Sequence, residues 1–427
     1  MPGNGVAHAV RSSEPPRARL STRSSPRPEP YSRGMLGSPR RAAFAGVFAA
    51  TLVAFLAIGA VLPILPRYVQ GPLDGGDIAV GIVTGAFAIA AVVGRPVGGR
   101  LADRWGRKPV ILIGMALCTA AACLYYLPFG VAGIVFARLV LGLGDGWVYT
   151  ASATWIVDLA PEERRGQAIA MFGMAIWGGL SLGPLFGELL LSIGSYEAVW
   201  AFAAATPLIA AAMVARLPEV QRAPAPPPPR GSGWLPPGVV LPGSALLLGN
   251  IGYAAFAGFM VLHLDAEGIG HGSAAFVAFA VAVVIGRLLL GGVPDRYGAR
   301  PAALGAGGLE AAGLTMIAFA GSLPVAFAGA LVMGLGFSLL FPALALVAIS
   351  ANPPERRGAA LGAFTAFFDI GVGVGGPLAG AIASLTGYTE AFLVAAACAV
   401  IAAGLGVLAA RTPARAPARG RTGSSSA

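Results

Sequence analysis

Gly94-Arg95-Pro96-Val97-Gly98-Gly99-Arg100-Leu101-Ala102-Asp103-Arg104-Trp105-Gly106-Arg107-Lys108-Pro109 has a second copy 192 residues on, where Gly286-Arg287, Gly291, Asp295, Arg296, Gly298 and Pro301 keep its framework. The same shift carries Gly142-Leu143-Gly144 to Gly334-Leu335-Gly336, and Glu163-Arg164-Arg165-Gly166 to Glu355-Arg356-Arg357-Gly358. A shift of 193 carries Gly183-Pro184-Leu185 and Gly187 to Gly376-Pro377-Leu378 and Gly380. Four blocks in register across half a chain mark an internal duplication.

Apolar runs separate these blocks. Of the 427 residues 56% are hydrophobic and 11% charged, whereas a soluble domain carries roughly 25% charged residues; a soluble globular protein is excluded. Runs of about 20 apolar residues, enough to cross about 30 Å of hydrocarbon, lie at 42–65, 79–101, 109–127, 131–157, 166–192, 197–215, 239–262, 272–293, 301–319, 323–350, 357–383 and 387–410. Backbone polar groups have no water to bond in lipid, so these runs predict an all-α membrane protein of twelve transmembrane helices. Six helices return the chain to its starting side. The halves are therefore parallel six-helix repeats about an axis along the membrane normal, an architecture that holds a substrate at the interface and works by rocking.

The predicted organisation is a disordered basic N-tail (1–41), an N-terminal half (42–216), a Pro-rich linker (217–238), a C-terminal half (239–410) and a disordered basic C-tail (411–427). The three cysteines form no disulfide framework, and the three histidines have no metal-ligand spacing with them. With the N-terminus inside, 24 of the 29 Lys and Arg fall on the cytoplasmic side, and the outer loops hold Arg67 among six acids. Both termini are thus predicted to be cytoplasmic. The net charge of +10 resides in the tails, eight bases against two acids at the N-terminus and four bases without an acid at the C-terminus. It points to the anionic inner leaflet and away from nucleic acid. Met35, close to the start of the first span, is a candidate translation start.

The segment from Gly99 to Lys108 resembles, at every defined position, the signature of the major facilitator superfamily between its second and third helices. Arg138 and Gly142 resemble that family's second motif. Gly179, Gly183-Pro184 and Gly187 resemble a third, typical of drug:proton antiporters, with Glu188 standing where that motif ends in glycine. The resemblance implies a twelve-helix secondary transporter. It also places Asp103 near the start of the eleventh span and lets Arg107 pair with Asp158, a latch between the halves while the site faces outward. Two readings of Arg104, Arg107 and Lys108 stand side by side: topology-setting charge at lipid head groups, or this latch, with Asp295 and Arg296 as its second-half counterparts. Gly183-Pro184 and Gly376-Pro377 interrupt the helical hydrogen-bond ladder, as a kink with close packing or as a ligand contact.

Charges inside predicted spans cost about 2.5 to 3.5 kcal/mol each at a helix centre and need a partner, a cavity or a function. Arg95 and Arg287 are repeat mates that can snorkel toward the cytoplasm. Arg138 and Asp145 sit seven residues apart on nearly one helix face, and their repeat mates are Ala330 and Phe337. The resemblance ties Arg138 to proton transfer. Asp369, whose mate is Ile176, is the mid-span acid best suited to take up and release a proton as a cavity opens to either side. Glu188 and Glu310 are further candidates, and Asn250 and Trp177 stand out among cavity-lining polar and aromatic residues.

These features predict a monomeric secondary transporter in the cytoplasmic membrane that exports a small amphipathic compound in exchange for protons, with no cofactor and no metal. A proton-coupled importer of a sugar or other metabolite is the alternative. A receptor or enzyme is disfavoured because no nucleophile, histidine base or phosphate-binding loop converges in the spans.

Overall fold

A computed structural model describes residues 38–161, 164–218, 235–353 and 356–411, together with residues 1, 3 and 5. Contacts divide the chain into Met1–Leu36 and Gly37–Ala427, and every helix belongs to the second unit. Met35, nearly all of the basic N-tail, the proline run of the linker and the C-tail beyond Arg411 lie outside the described residues.

Fourteen helices and no strands occur among the described residues. The N-terminal half comprises α1 (Ser38–Val61), α2 (Ile64–Gln70), α3 (Asp77–Trp105), α4 (Arg107–Leu124), α5 (Gly130–Leu159), α6 (Arg165–Ile193) and α7 (Tyr196–Ala215). The C-terminal half comprises α8 (Val240–Ala266), α9 (Gly272–Leu290), α10 (Val293–Tyr297), α11 (Ala299–Ala318), α12 (Leu323–Ser350), α13 (Arg357–Thr386) and α14 (Tyr388–Ala409). α2 continues α1 past Pro63, and the two form one span, Arg40–Gln70. Eleven spans are long and apolar enough to cross a membrane. The twelfth, α11, is diluted by Gly305, Gly307, Gly308, Gly313 and Glu310. Its flanks are nevertheless packed against α12 and α14.

The duplication in sequence is a duplication in packing. α3 lies on α5 as α9 lies on α12, and α1 on α6 as α8 on α13. Between the halves α3 meets α13 while its mate α9 meets α6, so the two main seams are repeat equivalents. Gly106 (φ +94°) and Gly298 (φ +90°) make the same turn in each half, in a backbone region that side chains rarely enter. Just after these turns, Lys108 Nζ donates to the Ala215 and Leu217 carbonyls at 2.7 and 2.9 Å, and Arg300 Nε reaches the Ala410 carbonyl at 3.4 Å. Each base thus holds the carbonyl end of its half's last helix, where a cation is favoured. One difference breaks the symmetry: α3 runs unbroken to Trp105, whereas its mate stops at Leu290 and resumes as α10. The second copy has Gly291-Gly292 and Pro294 in place of Gly99-Arg100 and Ala102, and proline lacks the N–H that would carry the helix on.

Candidate functional site at the seam between the halves

The seam is closed at the face opposite the start of α1 and the end of α14. There Arg67 donates from Nε and Nη2 to both carboxylate oxygens of Asp265 in the other half, at 2.7 and 2.9 Å, and from Nη1 to Glu188 at 3.2 Å. Ser273 completes the clamp by donating to Glu188 at 2.8 Å. Beside it Gln70 donates to Asp77 and Tyr388, and Tyr388 donates to Asp77 at 2.9 Å. Glu188 therefore belongs to a surface clamp at the end of α6 rather than to a central cavity.

Below the clamp α3 and α13 meet backbone to backbone. A Cβ on Gly81 would strike the Gly376 carbonyl, and one on Gly85 would lie 2.5 Å from the Gly373 oxygen. Small residues are what permit such an approach in a membrane bundle. The motif glycines of α6 have a different partner: Gly179, Gly183 and Gly187 press on α1 at Leu52, Gly59 and Ala60, within their own half. Both α6 and α13 continue as helices through Pro184 and Pro377.

At mid-depth the same seam holds the charges. Asp369 is 1% exposed and accepts two hydrogen bonds from Arg95, Nε at 2.6 Å and Nη2 at 3.0 Å. Asp145, also buried, lies 3.8 Å from the same guanidinium, which rests 4.1 Å from the Tyr149 ring centre. Arg95 does not snorkel: a bidentate carboxylate on the facing helix is within reach, and a desolvated guanidinium gains more from it than from a stretch toward water. Tyr149 lies in the electrostatic range of both Arg95 and Arg287. Beside Arg287, 5.8 Å from its guanidinium, Trp177 of the N-terminal half enters a nest of C-terminal aromatics, 5.3 to 6.1 Å from Phe337, Phe279 and Tyr253.

Three of the residues expected at a cavity lie elsewhere. Arg138 faces α3 inside its own half, donating to the Val83 carbonyl at 3.1 Å with its guanidinium 5.0 Å from the Phe87 ring. No salt bridge joins it to Asp145, which lies 3.8 Å from Arg95 instead. Asn250, fully buried, donates to its own helix at Leu246 and packs beneath Gly371. Glu310 is 0% exposed and points at Gly249 and Gly252 of α8, and both its oxygens lack hydrogen-bond partners.

At the face where α1 starts and α14 ends, Arg107 bridges Asp103 at 3.1 Å and Asp158 at 3.3 Å, all within one half. The Asp103 side chain is 62% exposed rather than seated on α13, so the inter-half part of the latch is not formed in this conformation. Arg104, Gly99 and Gly106 lie in the same turn region, and Asp295 and Arg296 occupy the equivalent place in α10, with Arg296 5.4 Å from the Tyr297 ring.

Sequence reasoning passed over Arg95 as a site residue and over Arg67 as a clamp. The signal for Arg67 was present, as one base in outer loops that otherwise carry acids. We expect Arg67→Ala to weaken far-face closure by about 1 kcal/mol, since each of its pairs is partly exposed. A Ser273→Cys reporter in that background should react several-fold faster with a membrane-impermeant maleimide, and an unchanged rate would show that the clamp does not hold the face shut.

Residues 47–291 and 244–426 match the model of the Major Facilitator Superfamily. The chain is 32% identical over 367 residues to the Uncharacterized MFS-type transporter STM4428 of Salmonella typhimurium, covering 84% of this chain and 94% of that one. It is 30% identical over 361 residues to the Uncharacterized MFS-type transporter YhhS of Escherichia coli, covering 82% and 87%. Among solved structures it resembles a bacterial homolog of the human lysosomal transporter Spinster in its inward-facing and occupied conformation, with a TM-score of 0.69 at 16% identity over 89% of this chain and 98% of that one. Duplicated halves, two equivalent seams and these matches agree: the chain belongs to the major facilitator superfamily and is a multi-pass membrane transporter, not an enzyme.

Proposed function

We propose that the protein exports a small amphipathic compound across the cytoplasmic membrane in exchange for protons, working as a monomer by rocking its halves about the seam. The carrying observation is that Arg95 of one half grips Asp369 of the other while Asp145 waits 3.8 Å from the same guanidinium. A proton taken up by Asp369 removes its negative charge and frees Arg95 for Asp145, which lies in the same half as Arg95. With the tie absent, the carrier that has released its substrate outside and taken its proton there turns back toward the cytoplasm. Loss of that proton to the cytoplasm restores the tie with the far face closed, and substrate entering from the cytoplasm must break the tie before the far face can open again. Occupancy by proton and by substrate would alternate because both act on the same seam.

The basic turns support a cytoplasmic position for the face where α1 starts and α14 ends. The closed clamp at Arg67 and the exposed Asp103 then correspond to an inward-facing state, and in the opposite state Asp103 would seat at the start of α13, where a helix dipole favours a negative charge. Glycines 179, 183 and 187, packed on α1, support the antiporter branch through its motif.

The test is transport by purified protein in proteoliposomes under an imposed pH gradient. We expect substrate to move against the direction of proton flow. Movement with the protons would make the protein an importer by symport, and no movement under any gradient would refute coupling. Cysteines placed at either terminus should react only with permeant reagents in intact cells.

A further inference from the structure

We infer that Arg287 receives the anionic group of the substrate, and that the transported class is small organic monoanions with an apolar or aromatic body. This rests on the transporter reading above and adds the chemistry of its cargo.

The argument starts from the broken symmetry of the repeat. Arg95 and Arg287 are mates on α3 and α9, and each lies on one of the two equivalent seams. Across its seam Arg95 finds Asp369; the repeat mate of that position, on α6, is Ile176. Arg287 consequently has no acidic partner among the described residues, and its buried Nε makes no hydrogen bond. What it does meet comes from the other half: the Trp177 ring, 5.8 Å away, and Gly173, where a Cβ would stand 2.6 Å from Nη1. A desolvated guanidinium without a counter-charge is unfavourable, and an arginine presents its donors in a fork that suits a carboxylate or a similar planar or tetrahedral anion.

The surroundings set the rest of the ligand. Tyr149, in the electrostatic range of both arginines, has a hydroxyl with no hydrogen-bond partner among the described residues and can donate to the same anion. Asp369 and Asp145 both lie on Arg95, so Arg287 is the base of the two seams that no acid among the described residues meets, and a single negative charge on the ligand would complement it. Trp177 adjoins Arg287, and Tyr253, Phe279 and Phe337 pack around Trp177, so the rings beside the guanidinium offer faces and edges to an apolar body. A cation is disfavoured there by Arg287 itself.

Direct binding tests this without depending on coupling. The full chain in nanodiscs is titrated with benzoate, 2-naphthoate and 4-phenylbutyrate, each beside its neutral amide and its amine of similar shape, while tryptophan fluorescence is followed. Trp177→Phe identifies the part of the signal that belongs to the site. We expect at least one carboxylate to quench saturably and its amide and amine not to. Arg287→Gln should weaken that binding at least tenfold, with Arg287→Lys intermediate. Thermal unfolding of each variant identifies any that fails to fold, and Arg287→Lys then carries the comparison. Binding by the amines but not the carboxylates, no saturable binding by any carboxylate, or unchanged carboxylate binding in a folded Arg287 variant would overturn the inference. If a pH gradient nevertheless drives a cationic dye, the exchange mechanism stands and only this substrate class falls. Carboxylate binding through Arg287 without any pH-driven movement would sustain the site and refute the coupling.

Discussion

Asp369→Asn should lower pH-gradient-driven transport by about 100-fold while leaving substrate counterflow, which moves no net protons, within a few fold of the parent. The substitution keeps the shape of a side chain that is 1% exposed, but it removes the charge that Arg95 grips through two hydrogen bonds. Removing one partner of a buried ion pair costs about 3 to 5 kcal/mol because the other charge is left uncompensated. Asp145, 3.8 Å away, offsets part of that by taking over the guanidinium. About 3 kcal/mol corresponds to roughly two decades in an equilibrium, which is the scale expected for the tie between the halves. The variant is thus held in the state that the protonated carrier visits only transiently. Asp145→Asn should act through the hand-over instead, sparing the Arg95–Asp369 contact yet slowing the cycle. Arg95→Gln should abolish the difference between the two aspartate variants, because both act through that guanidinium. If Asp369→Asn and Asp145→Asn both retain full pH-driven transport, coupling lies elsewhere, and Glu310, buried and unpartnered inside the second half, becomes the group to replace.

Gly376→Ala should reduce transport at least tenfold without a matching loss of thermal stability. A Cβ at Gly376 would stand 2.5 Å from the Gly81 carbonyl and 2.8 Å from the Gly85 nitrogen, both on α3 in the other half. Overpacking of this kind costs about 1 to 3 kcal/mol, comparable to the few kcal/mol that separate the conformations of a two-state protein. The clash exists only while the seam is closed, so the protein can escape it by opening the far face and need not unfold. Ser273→Cys should then become accessible to an impermeant maleimide from outside. Gly142→Ala is the control. Its Cβ would strike the Phe87 carbonyl, and that contact joins α5 to α3 inside one half, with no conformational escape. There the same extra methyl should lower expression and unfolding temperature. Equal thermal destabilisation by both substitutions would show that the α3–α13 contact is permanent and not part of a moving seam.

The limits of sequence reading are clearest at the arginines. Repeat spacing and hydropathy were enough to pair Arg95 with Arg287 and to lay out the spans within a few residues, because insertion in lipid imposes a length and a polarity on each helix separately. Helix period also put Arg138 and Asp145 on nearly one face of α5. It could not say which neighbouring helix each would meet. Arg138 bonds to the Val83 carbonyl within its half, whereas Asp145 is drawn to Arg95. Glu310 is a similar case: its position inside a span was evident, but only α8 packed against it makes it an enclosed acid facing Gly249 and Gly252. The kink expected at Gly183-Pro184 and Gly376-Pro377 was a local inference from proline. Close packing was part of that reading, but the partners were not: the first motif lines the α1 contact inside its half and the second lines the seam between halves.

Membrane insertion and internal duplication were therefore written along the chain, in runs of apolar residues and in blocks repeated at a constant offset, since both depend on what stands near in sequence. Which charges neutralise one another, and which arginine is left without a counter-ion, depended on residues as far apart as Arg95 and Asp369 being brought together on α3 and α13. An ion pair within a few ångströms is settled by the register of two helices against each other, and that register follows from close packing of small residues such as Gly81, Gly85, Gly373 and Gly376, whose partners no periodicity in one strand of sequence identifies.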